Sequence, residues 1–104
     1  MKTLLDDLEQ ALTDLLQMGF ATAGPDMAKR MRALAERCEA TGLHTGSALI
    51  IRIAQLLSER SHTMDKTDVQ LTAAVCRAGH YITLCRTRMA EEDIRARWQK
   101  GGKT

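Results

Sequence analysis

Cys76 and His80 stand four residues apart. On an α-helix that spacing puts both side chains on one side, within reach of a single metal ion. A zinc site needs about four protein ligands when structural, or three plus water when catalytic. The remaining candidates are Cys38, His44, His62 and Cys85, and none has the paired spacing of a zinc finger. A cysteine acting as a small apolar residue and a hydrogen-bonded histidine account for the pair more simply. No metal and no other cofactor is expected.

His80 has a second chemistry open to it. Phosphoryl relay from a helical bundle needs an exposed imidazole, a basic neighbour and small residues that admit a second domain. Arg77 and Gly79 suit that role, but the run His80-Tyr81-Ile82-Thr83-Leu84 lacks the H-x-x-K-G pattern of histidine phosphotransfer domains. His44 and His62 fall in expected turns. Nucleophilic and nucleotide chemistry find no support, because GxSxG, GxxxxGK[ST], GxGxxG and HExxH are all missing. The acidic residues are scattered along solvent-facing helix positions, without the inward Glu-x-x-His pairs of a di-iron bundle. No enzyme class is favoured.

The elements that would position these residues are all helical. With 104 residues, 44% hydrophobic and 27% charged, the chain has the size and composition of one folded domain, expected over 1–100 with a flexible tail at 101–104. One Phe, one Tyr, one Trp and one Pro argue against a β architecture. The three cysteines are odd in number and the N-terminal segment carries Asp6 and Asp7. Neither fits a secreted disulfide scaffold or a signal peptide, and no apolar run is long enough to span a membrane. A cytoplasmic protein is expected.

Apolar residues recur at three- and four-residue steps throughout. Leu4, Leu8, Ala11, Leu12, Leu15 and Met18 mark a first helix, with Thr3 as its N-cap, Asp6 and Asp7 in its first turn and Gly19 at its end. Pro25 suits the first position of a second helix striped by Met27, Met31, Leu34, Ala35 and Cys38 and stopped at Gly42. A third helix, starting near Ser47, is apolar around most of its girth, so it is expected at the centre of the fold. A fourth segment begins near residues 66–68 and is long enough that it must either break, near Gly79 or before Ala90, or project. Short connectors predict an all-α, antiparallel up-and-down bundle of four helices, five if the last one breaks.

The fourth helix has two apolar sides. Val69, Ala73, Cys76, His80 and Leu84 fall on one, and Leu71, Val75, Ala78, Ile82, Cys85 and Met89 nearly opposite. Either a bent chain covers both sides within the monomer, or the first side meets the core and the second is left to another protein. Leu71, Val75, Ala78, Ile82, Cys85 and Met89 are therefore the expected interface, with a two-fold homodimer or a helical protein as partner. The expected function is that of a small protein–protein interaction or regulatory module. Six basic residues between Arg86 and Lys103, set against Glu91, Glu92 and Asp93, keep nucleic acid as an alternative partner. The net charge of +2 does not favour it.

The run Leu12-x-x-Leu15-Leu16-x-x-Gly19, then Leu34-Ala35-x-x-Cys38 and Gly42-Leu43, resembles helical segments of bacterial proteins that carry SWIM-type zinc fingers. The finger itself, a CxC followed by CxH, is absent. The resemblance implies an accessory helical module and assigns no functional residue.

Overall fold

The computed structural model describes residues 2–20, 25–60 and 66–101, with side chains over 2–20, 25–59 and 69–98. It holds four helices: α1 (Lys2–Met18), α2 (Pro25–Ala40), α3 (His44–Arg60) and α4 (Lys66–Gly101). The fold is all-α. The expected turn residue His62 lies outside the described residues.

Local chemistry explains the ends. Gly19 and Gly42 have φ of 83° and 87°, a left-handed conformation that costs glycine little and other residues more. After α2, the Leu43 amide donates to the Cys38 carbonyl at 2.8 Å and the Gly42 amide to Glu39 at 3.1 Å. That pair of hydrogen bonds is a Schellman cap, and Leu43 folds back onto the core. After α1, a single bond from the Gly19 amide to Leu15 at 2.9 Å does the same work, with Phe20 against the core. Pro25 opens α2 as predicted.

Two helices start earlier than the sequence predicts. Already helical at Lys2, α1 takes in Thr3 rather than being capped by it, and Asp6 and Asp7 fall in its second turn. There they take ion pairs from other helices instead of facing the dipole: Asp7 from Arg37 at 2.7 Å and Asp6 from Arg86 at 2.8 Å. The third helix starts at His44, because the cap on α2 leaves only residues 41–43 as connector.

Among the described residues each helix packs on two others: α1 on α2 and α4, and α3 on α2 and α4. One core results, with Leu5, Leu8, Leu15, Met31, Ile53 and Leu71 fully enclosed. The third helix is therefore one of four around the core rather than its centre, and Ile51 stays exposed. Met18 is exposed as well, while Leu5 joins the buried face of α1.

At 36 residues, α4 is about 54 Å long, against about 25 Å for the other three. It does not break at Gly79 or at Ala90. Met89 is the last of its side chains to rest on the core, and every described side chain from 90 to 98 is exposed. The molecule measures 63 × 23 × 19 Å, its length set by this projecting end. Gly101 belongs to the helix, and the rest of the expected tail, 102–104, lies outside the described residues.

Candidate interaction surface

The rotation of α4 about its axis is the reverse of the expected one. Leu71, Val75, Ala78 and Ile82 are in the core, and Cys85 and Met89 are half-buried against it. This side cannot serve as an interface, since Ile82 keeps only 4% of its surface. The side expected to face inward is open: Val69 is 74% exposed and Leu84 51%, and Ala73, Cys76 and His80 are exposed with them.

Two contacts beside the apolar side fix this rotation. On one flank Tyr81 packs over Gly46, near the start of α3. A Cβ at residue 46 would stand 2.8 Å from Tyr81 Cε1 and 3.4 Å from Cζ, so only glycine admits the ring so closely. Burial pushes the Tyr81 phenol above its ordinary range, and the neighbouring Cys85 adds to the effect. Cys38 is raised for the same leading reason, burial, so neither group is poised as a nucleophile near neutral pH. On the other flank Arg86 reaches α1, donating at 2.8 Å to Asp6 and 2.7 Å to Glu9. Hydrogen bonds to these two carboxylates raise the Arg86 guanidinium above its ordinary value.

The side of α4 turned away from both flanks is the candidate surface. At about 100° per residue, Val69, Ala73, Cys76, His80, Leu84, Ile94 and Trp98 fall along one line. Ile94 is 52% exposed and Trp98 76%. Of the seven large apolar side chains exposed among the described residues, four are on this line. A fifth, Leu16 of α1, borders an open groove of about 480 Å³ between α1 and α4, together with Leu12, Val75, Cys76, Gly79 and Ile82. A second hollow, of about 490 Å³, lies where α4 leaves the other helices, lined by Leu43, Tyr81, Leu84, Cys85 and Met89. Ile94 and Trp98 were not among the residues expected here. Their helical phase, shared with Leu84, was the signal that places them.

Cys76 and His80 lie on one side of α4, both exposed. Among the described residues no three His, Cys, Asp or Glu side chains gather closely enough to hold a metal ion. His44 Nδ1 lies 2.6 Å from Glu39 Oε1 across the α2–α3 turn, an exposed pairing. No helix in the described residues is long and apolar enough to cross a membrane. Compared with family models, with curated proteins and with solved structures, the chain matches none.

Proposed function

We propose that this protein is a helical interaction module whose outer α4 face binds another protein surface. The supporting observation is the line from Val69 to Trp98, whose large apolar side chains stay exposed although the chain already has a closed core. Scattered surface leucines need no explanation, whereas aligned ones mark contact sites. The proposed partner is a second copy or another helical protein, the setting is cytoplasmic, and no catalytic step is assigned.

We also infer that the helices run alternately up and down. Asp7 pairs with Arg37 and Asp14 with Arg30, so the start of α1 adjoins the end of α2 and the reverse. Glu9 meeting Arg86, and Leu16 sharing a groove with Val75, support the same relation between α1 and α4.

Nucleic acid is a second reading, drawn from the bare end of α4, where Arg88, Arg95, Arg97 and Trp98 are all exposed. Glu91, Glu92 and Asp93 are exposed beside them and cancel the charge that phosphate binding needs. Protein contact is the reading carried forward.

Sedimentation of the tagged chain in an extract of its native host tests it. The wild-type chain should travel in a species heavier than 11.5 kDa, Leu84→Glu should return it to monomer size, and Ile51→Glu on α3 should not. A wild-type chain sedimenting as a monomer, or two variants that behave alike, would overturn the reading.

A further inference from the structure

We propose that Cys76 and His80 form half of a zinc site, completed by the same pair from a second copy. The inference goes beyond the reading of the outer α4 face as a contact surface and does not depend on its apolar residues.

The two side chains lack the surroundings that a purely structural role would give them. A cysteine packed as a small apolar residue would be buried, and a structural histidine would be hydrogen-bonded. Both are instead exposed, and among the described residues neither has a hydrogen-bond or ion-pair partner. They lie one helical turn apart, where Cβ atoms are about 5–6 Å from each other. One ion can therefore sit between them, about 2.3 Å from the sulfur and about 2.0 Å from an imidazole nitrogen. Thiolate and imidazole are zinc donors, and two such pairs make the tetrahedral set of two sulfurs and two nitrogens.

A single chain stops at two ligands. Among the described residues no third His, Cys, Asp or Glu comes close enough to join them. Structural zinc takes four, so the site is incomplete without another copy. A two-fold axis through the ion supplies the missing pair, and closed two-fold contacts are the commonest form of self-association.

The surroundings admit a second helix. Thr72, Ala73, Gly79 and Thr83 border the pair and are all short, and a methyl at Gly79 would meet nothing within 4 Å. Two helices can thus come to about 8–10 Å, the usual packing distance. Each Cys76 binds as the thiolate and gives its proton to solvent. Two thiolates balance the charge of one zinc ion, so the exposed Arg77 beside each pair faces a neutral centre. The ion, rather than buried area, holds the copies together.

Zinc titration of the full-length chain, kept reduced with a non-chelating phosphine and followed by light scattering, tests this. Mass should rise from 11.5 kDa to twice that value, with an end point at one ion for every two chains, and should fall back on addition of EDTA. Cobalt(II) in place of zinc should give the visible bands of a tetrahedral ion and near-ultraviolet absorption from sulfur to metal. Cys76→Ser and, separately, His80→Ala should abolish the mass change and the cobalt spectrum. Helical circular dichroism should be kept in both, because both sites are exposed. His44→Ala and Cys85→Ala should preserve the mass change and the spectrum. An unchanged mass at saturating zinc would overturn the proposal, as would one ion bound per chain. A mass change that survives Cys76→Ser or His80→Ala would overturn it too, since other groups would then hold the ion. The contact reading is decided separately, by the Leu84→Glu comparison in host extract run with EDTA present, and can stand whatever zinc does here.

Discussion

The two sides of α4 carry apolar residues of much the same kind, yet one is sealed and the other bare. On the inner side Leu71, Val75 and Ile82 alternate with Ala74 and Ala78, so large side chains interlock with neighbouring helices while small ones let the backbones approach. On the outer side Val69, Leu84, Ile94 and Trp98 are separated by His80, Thr83, Thr87 and Glu91. A helix buried between others would have to leave those polar groups without water. Apolar content alone therefore does not choose the inward side. Those polar interruptions do, together with the contacts at its shoulders: turned by half a revolution, α4 would carry Tyr81 away from Gly46 and Arg86 away from Asp6 and Glu9.

The sharpest way to break this contrast is one charge on each side. Ile82→Glu puts a carboxylate where 4% of the side chain sees water. Total stabilities of about 5–15 kcal/mol leave little room for an unpaired buried charge. Loss of the helical circular dichroism signal is expected, and a folded Ile82→Glu protein would contradict the rotation described here. Leu71→Ala, a milder change at a fully buried site, should cost about 2–5 kcal/mol by urea titration.

Next come two glycines. Gly46→Ala adds a methyl 2.8 Å from the Tyr81 ring and should destabilise by about 1–3 kcal/mol, with Tyr81→Leu added to the variant relieving part of the loss. Gly79→Ala meets nothing within 4 Å and lies inside α4. It should raise stability by about 0.5–1 kcal/mol, the helix preference of alanine over glycine. Equal effects at the two positions would refute the close approach of α3 and α4.

Alkaline titration gives a smaller effect. Cys38 and Tyr81 hold their protons more tightly when folded than their ordinary values of 9.0 and 10.0 allow. Their contribution is intact below about pH 9 and is lost as pH rises through the folded values. A melting temperature that falls above pH 9, and falls less in Cys38→Val, is the expected record. Smallest of all is Leu84→Glu, which should shift the stability of dilute protein by no more than about 0.5 kcal/mol. A larger loss would mean the outer side is covered within the monomer.

Much of the fold could be read from local residues. Pro25, Gly19 and Gly42 mark helix boundaries because their φ preferences act within a few residues. Met27, Met31, Leu34, Ala35 and Cys38 are all buried as one stripe, since nothing else on α2 competes with them. The rotation of α4 was not legible, because it depends on partners far away in the sequence. Gly46 is 35 residues from Tyr81, and Asp6 is 80 from Arg86. The central place expected for α3 was not legible either, because α3 turns Ile51 outward and packs on α2 and α4 alone. The expected interface followed from that same placement, and its residues Leu71, Val75, Ala78 and Ile82 are core instead.

The overhang of α4 also governs how the molecule moves through water. A particle of 63 × 23 × 19 Å is a rod roughly three times longer than wide. Its friction exceeds that of a sphere of equal mass, and it tumbles more slowly end over end than about its long axis. On a gel-filtration column the monomer should elute early, at a Stokes radius suited to a heavier globular protein.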